Sequence, residues 1–211
     1  TIYVTIVGTF TALLTTTLLA YPLSKSRIKA RRWILLAIVF VMIFGVPAIP
    51  FFLTVRGTGL LDNLHSLIIP SLINPFNLLV LKTFFENVPD EMEESAKMDG
   101  ANDFQVLYHI FIPLALPALA TIGLFYAVEK WNGYYHALMF INDNSLYPLQ
   151  VKANMMFSDE EQNGYLEGIG YLNRDGIRYA VIIFAVIPIL LVYPFLQKYF
   201  AKGVMIGGIK G

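Results

Sequence analysis

The sequence predicts an all-α fold, a polytopic membrane helix bundle. Composition carries the first part of this reading. Of the 211 residues, 56% are hydrophobic and only 14% are charged, where soluble domains carry about 25% charged residues. Mean hydropathy is +0.61. Pattern carries the rest: five apolar stretches approach the roughly 20 residues that a helix needs to cross a bilayer, and they lack the polar face of a water-soluble helix.

In chain order, residues 1–24 (TIYVTIVGTFTALLTTTLLAYPLS) hold no charge and form the first visible span. The linker KSRIKARR follows, with Lys25, Arg27, Lys29, Arg31 and Arg32; its basic bias marks the cytoplasmic side. Residues 33–55, again uncharged, lead outward to Arg56, and residues 66–85, apolar apart from Lys82, lead back. A fourth span covers residues 110–135 and a fifth residues 179–197, followed by a tail with Lys198, Lys202 and Lys210. This alternation makes residues 1–211 a single transmembrane domain. It puts residues 86–112 in the cytoplasm and residues 136–176, rich in Asp and Glu, outside. Thr1 lies within an apolar stretch that has no basic n-region and no cleavage site, which is not a signal peptide.

Four spans contain paired prolines: Pro47 and Pro50, Pro70 and Pro75, Pro113 and Pro117, Pro188 and Pro194. Each removes a helix hydrogen bond, and the freed carbonyls must be met by protein or by a water-filled cavity. A bundle lining a pathway satisfies that demand, although prolines are also commoner in membrane helices generally. Other classes are excluded. There is no cysteine for disulfide or thiolate chemistry. His65, His109 and His136 fit no metal motif. No basic tract suits nucleic acid. No catalytic residues are expected. No Gly-rich phosphate loop of the GxxxxGK[ST] form is present, so ATP is not held by this chain.

The charged region 86–112 has its own grammar. Pro89 suits a first helical position, and Asp90, Glu91 and Glu93 suit the positive end of the helix that follows. Gly100 is placed to end that helix. Phe104, Leu107, Tyr108 and Phe111 then recur as an apolar stripe, while Ser95, Ala96, Gly100 and Ala101 are small enough for another surface to approach. Residue physics alone leaves a docking knob and an ordinary interfacial loop both open.

The tract ESAKMDGANDFQVLYHIFIP resembles the cytoplasmic signature loop of binding-protein-dependent ABC importer permeases, through Glu94, Ser95, Ala96, Asp99, Gly100, Ala101, Phe104, Ile110, Ile112 and Pro113. Ser95 replaces the usual alanine. The similarity runs along nearly the whole chain: AYPLSKSRIKARR, in which Pro22 departs from the pattern, IPFFLTVRGTGLLDN, Trp131–Asn132, and the tail FLQKYFAKGVMIGGIKG. Among these permeases it most resembles carbohydrate permeases of the maltose-transporter inner-subunit kind. The tail resembles a subgroup handling oligosaccharides or polysaccharide fragments, including alginate importers.

The resemblance implies a type I ABC importer permease in a bacterial or archaeal cytoplasmic (inner) membrane, with one further span expected before Thr1. Its implied partners are a second permease subunit, two ATPase subunits that bind ATP and Mg, and an extracytoplasmic solute-binding protein. Glu94, Ser95, Ala96, Asp99, Gly100, Ala101, Phe104, Leu107 and Tyr108 would form the coupling helix seated on an ATPase. For a sugar pathway, which needs hydrogen-bonding groups and flat apolar rings, the candidates are Asn74, Asn77, Tyr126, Glu129, Trp131, Asn132 and Tyr135. Glu129, with Lys130 beside it, fits either the outer interface or a cavity lining. An ion-coupled secondary transporter and a non-transport scaffold are the alternatives; inverted repeats and buried ionisable residues would mark the former.

Overall fold

The structure, a computed structural model, describes residues 1–162 and, beyond them, residues 176, 179–180, 182–188 and 190. Helix α1 (Ile2–Ser24) carries small residues at every fourth position. Gly8, Ala12, Thr16 and Ala20 are all buried, and such a stripe lets neighbouring helices come close. The stretch 33–55, which reads from sequence as one span, is two helices, α2 (Arg31–Phe44) and α3 (Ala48–Gly57). Gly45 takes a left-handed φ of 61° and Pro47 is extended, so the helix cannot run through. None of the residues of α2 is buried within the chain.

Two 3-10 turns, Leu64–Leu67 and Ile69–Ser71, lead into α4 (Pro75–Glu86) at a bend of 46°. Asn74 caps α4, its side-chain oxygen accepting from the N–H groups of Phe76 (3.0 Å) and Asn77 (3.4 Å). The segment that follows comprises α5 (Asp90–Met98), α6 (Asp103–Val106), a π turn over Leu107–Phe111 and α7 (Ile112–Leu114). α8 (Leu116–Trp131) leaves this region at 83°. Pro113 and Pro117 flank the corner at Ala115, each lacking the N–H that a continuous helix needs. α9 (Tyr134–Phe140), a 3-10 turn over Asn144–Leu146 and α10 (Leu149–Gln162) complete the described chain.

Among the described residues α1 is the one helix long and apolar enough to cross a membrane alone. The two bent pairs, Leu64–Ser71 with Pro75–Glu86 and Asp103–Leu114 with Leu116–Trp131, meet the same test when each is taken as one span. α1 packs mainly on α8 and α4. Toward the C-terminal end of α1, the rings of Tyr21, Phe85 and Phe111 meet edge to face at 5.1–6.4 Å. Toward the other end, Val4, Val55, Leu67, Ile68, Phe140 and Val151 form a second cluster. There Asp62, at φ 56°, accepts from the backbone N–H groups of Asn142 and Asp143 and ties the turn after α3 to the exit of α9.

Of the outer segment, Tyr147 packs against this second cluster. Residues 163–175, with Tyr165, Glu167 and Asp175, and the tail 191–211, with Lys198, Lys202 and Lys210, lie outside the described residues.

Candidate coupling surface and pathway

The candidate coupling region is shaped by two local devices written in DGANDFQ. The first ends α5. The N–H of Gly100 bonds to Lys97 O at 3.0 Å and that of Ala101 to Ala96 O at 2.9 Å, with Gly100 at φ 86°. This is the Schellman arrangement, in which a left-handed glycine satisfies the last carbonyls of a helix. The second starts α6. Asn102 Oδ1 accepts from the Gln105 N–H, and Gln105 Oε1 accepts from the Asn102 N–H, both at 2.9 Å, a reciprocal cap. The Asn-x-x-Gln spacing was a legible signal for it. Together these devices turn the chain sharply and hold Asp99 and Gly100 at the exposed tip.

The apolar stripe expected after Gly100 divides. Phe104 and Tyr108 are 75% and 68% exposed, whereas Leu107 and Phe111 are 5% and 0%. Leu107 therefore packs inside its own chain, and the outward surface belongs to Phe104, Tyr108 and Met98. Glu94, Ser95 and Asp99 are exposed beside them, and Ala96 and Ala101 are half-buried. Among the described residues Glu94 makes no ion pair. The anchoring carboxylate is its neighbour Glu93, 7% exposed, which sequence reasoning missed. Glu93 pairs with Lys25, with Lys97 at 2.5 Å and with Arg27 at 3.7 Å. Asp103 pairs with Arg27 at 2.8 Å and Lys97 at 3.2 Å. A third acid, Glu86, holds Arg31 and, at 2.6 Å, Lys82. Lys25, Arg27 and Arg31 of the basic linker, read from sequence as an orientation signal, are thus also bonded to the coupling region and the end of α4.

Burial opposes charge on Glu93, but hydrogen bonds from Lys25 and Lys97, with their charges, hold its carboxyl below the ordinary range. The hydrogen bond from Arg27 does the same for Asp103, with Lys97 adding to it. Both groups are depressed in the fold, so the anchorage they give is complete above the unfolded values, about 3.9 for Asp and 4.3 for Glu. It is lost as pH falls through the lower folded values. Hydrogen exchange in residues 90–106, corrected for intrinsic rate, is expected to stay constant from pH 7 to pH 5 and to rise below about pH 4. Loosening already at pH 6 would contradict this assignment.

The pathway candidates separate into three groups. Asn74, Tyr126 and Glu129 come together: the Asn74 N–H donates to the Tyr126 hydroxyl at 3.0 Å, and Asn74 Nδ2 reaches Glu129 at 3.4 Å. The Tyr126 hydroxyl also shares a hydrogen bond of 2.7 Å with Thr16. Tyr126 is fully buried, so its polar tip joins α1, α4 and α8 and faces no open space. Glu129, Asn132 and Tyr135 line a cleft of about 210 Å³ with Lys130, Tyr134 and His136. Trp131 and Asn77 stand apart. The Trp131 indole donates to Ala185 O at 3.0 Å, and Asn77 is 2% exposed in α4.

The residue that goes deep is Lys130, not Glu129. It is 7% exposed, and its stem runs 3.3 Å from where a Cβ on Gly8 would stand. Its ammonium donates to Leu67 O and Ser71 O, each at 3.2 Å, and to Ser71 Oγ. Short 3-10 turns leave carbonyls without helical partners. Here one lysine, admitted by one glycine, meets those of the broken segment.

Comparison with known proteins places this arrangement. The model of the family described as binding-protein-dependent transport system inner membrane component matches residues 4–206. The chain belongs to this family. The permease is 45% identical to the protein LplC of Bacillus subtilis (strain 168) over 213 residues, covering all of this chain and 72% of that protein. It is 44% identical over 214 residues to the polygalacturonan/rhamnogalacturonan transport system permease protein YtcP of the same organism, covering all of this chain and 75% of YtcP. Among solved structures, a bacterial ABC transporter involved in the import of the acidic polysaccharide alginate matches with a TM-score of 0.86 and 41% sequence identity, over 94% of this chain and 72% of that one. The permease is thus all-α and of the ABC importer permease fold. It is an inner membrane component of a transport system that works with other subunits.

Proposed function

We propose that the permease is the non-catalytic half of a heterodimeric membrane domain that imports an oligosaccharide or polysaccharide fragment by alternating access. Two separate ATPase subunits bind ATP and Mg, and an extracytoplasmic solute-binding protein delivers the sugar. The chain crosses the cytoplasmic membrane several times, with residues 86–112 inside and residues 136–176 outside. The observation that carries the reading is the tip formed by Asp99, Gly100, Phe104 and Tyr108. It is a rigidly capped turn that exposes large rings, supported from behind by the ion pairs of Glu93. Rings left in water on a rigid support suit burial by a partner, worth about 1.5–3 kcal/mol for each large side chain fully covered. ATP-driven closure of the ATPase pair moves this tip, and the spans attached to it rock between inward-facing and outward-facing states. By linkage, the loaded binding protein biases the ATPase in return.

The carbohydrate class rests on the relatives. YtcP is named for polygalacturonan and rhamnogalacturonan, and the structural neighbour imports alginate. Glu129, Asn132 and Tyr135 supply a carboxylate, an amide and a ring to the cleft, groups that suit hydroxyls and sugar faces.

The test is reconstitution of the permease with its co-purified partners in vesicles, with oligogalacturonates and neutral arabino-oligosaccharides as alternative cargoes. ATP hydrolysis stimulated by sugar-loaded binding protein, together with uptake, is expected for one of them. A crosslinker at Tyr147 is expected to capture the binding protein. Uptake by the chain alone, or capture of the ATPase at Tyr147, overturns the reading.

A further inference from the structure

Four ion pairs behind the coupling tip close into a ring of Glu93, Lys97, Asp103 and Arg27, and a fifth joins Lys25 to it through Glu93. Lys25 meets Glu93, Glu93 meets Lys97, Lys97 meets Asp103, Asp103 meets Arg27, and Arg27 returns to Glu93. The five residues come from four places: the end of α1, the linker after it, α5 and the start of α6. Three cations face two carboxylates. The surplus charge is met by aromatic faces, with the Lys25 ammonium 4.1 Å from the Phe111 ring centroid and 5.4 Å from that of Tyr21, a favourable placement for a cation. Lys25 is 8% exposed and Glu93 7%.

A buried ion pair is a poor way to gain stability, because desolvation offsets most of the attraction. Well-packed apolar residues often do as well. What a closed ring of directed charge pairs adds is fixed relative geometry. Apolar contacts between α1 and α5 would let the surfaces slide. The poorly hydrated link is Lys25–Glu93, with side chains 10% and 9% exposed, so moving α5 away from the end of α1 lengthens that pair, while Arg27 and Asp103 are half exposed.

Resting on the transport reading above, we propose that Lys25 and Glu93 are positioning residues that lock α5 and α6 to the exit of α1. The movement of the docked tip is then delivered to α1 directly, in parallel with the covalent route through α7 and α8. α1 packs against both α4 and α8, so the lock reaches the centre of the bundle in one step.

The experiment uses the assembled importer, both permease subunits and the ATPase pair, in nanodiscs. The chain has no cysteine, so spin labels can be placed by Leu14→Cys on α1 and Glu91→Cys on α5, both exposed positions. Distances are read without nucleotide and after trapping with ATP and vanadate. The parent is expected to show one unchanged distance in both states. Glu93→Gln and the single reversals Lys25→Glu and Glu93→Lys are expected to make that distance differ between states. They are also expected to lower the ratio of binding-protein-stimulated to unstimulated ATP hydrolysis by about ten-fold, within the usual range of coupling between sites. The double reversal Lys25→Glu with Glu93→Lys remakes that one pair but leaves Lys97 and Arg27 without the Glu93 carboxylate, and is expected to restore both in part. An unchanged distance and full stimulation in Glu93→Gln overturn the proposal. So does a loss of assembled complex with normal stimulation in what remains, since that marks a merely structural pair. A parent chain that neither assembles with an ATPase nor supports stimulated hydrolysis refutes the transport reading instead.

Discussion

Gly100→Glu is expected to abolish binding-protein-stimulated ATP hydrolysis and sugar uptake together, while the chain still inserts and folds. Gly100 sits at φ 86°, a conformation that costs an L-residue about 1–2 kcal/mol. No atom lies within 4 Å of the place where its Cβ would stand. Among the described residues a Cβ there therefore stands in open space, and the side chain projects from the exposed tip, beside Asp99. The permease pays modest backbone strain, but the docking partner meets both bulk and an added negative charge. Gly100→Ala carries the same strain with one methyl and is expected to keep measurable stimulation, which separates strain from obstruction. The measurement is ATP turnover of reconstituted complex with and without loaded binding protein. Full stimulation and assembly in Gly100→Glu would remove the docking role from this stretch.

Lys130→Met is expected to have the largest effect on stability. Methionine matches the length of the apolar stem but takes the lysine donor from Ser71 O and leaves Leu67 O only the Ser71 hydroxyl at 3.2 Å. A buried polar group left unpaired costs about 1–3 kcal/mol. A loss of about 1–3 kcal/mol lowers Tm by about 2–12 °C for a chain of this size. Gly8→Leu attacks the same contact from the other side, because the added Cβ starts 3.3 Å from the Lys130 stem. The two changes are expected to be strongly non-additive, as substitutions sharing one contact are. Thermal unfolding of the purified single and double variants measures this. Simple additivity would mean that Gly8 and Lys130 act separately.

Much of the architecture was legible because it is written locally. The prolines at the Ala115 corner, the acidic start of α5 and the stop at Gly100 all act within a few residues of where they stand. The features that escaped depend on distant segments. Whether Glu93 or Glu94 is the anchored carboxylate is decided by Lys25 and Arg27, which reach it from the linker after α1. Of the neighbours Glu129 and Lys130, the one that turns inward is decided by the carbonyls at Leu67 and Ser71 and by the room left at Gly8. Tyr126 reads as a pathway ring from composition. Its hydroxyl is taken up by Thr16 and Asn74, one on α1 and the other capping α4. The single stripe from Phe104 to Phe111 failed for a local reason: the π turn over Leu107–Phe111 departs from the 3.6-residue period on which stripe counting rests.

The corner at Ala115 sets a mechanical ratio. α8 has 16 residues, about 24 Å at 1.5 Å rise per residue. Its far end is pinned where Lys130 grips Leu67 and Ser71, and its foot joins the coupling segment at 83°. A pull along that segment is therefore almost perpendicular to α8 and acts on it as on a lever with its fulcrum at the top. A shift of about 4 Å at the foot tilts a rod of about 24 Å by about 10°. A straight junction would turn the same pull into sliding along the helix axis. By standing nearly square to the coupling segment, α8 converts a small lateral stroke into rotation, which is the motion that opens one end of a bundle while closing the other.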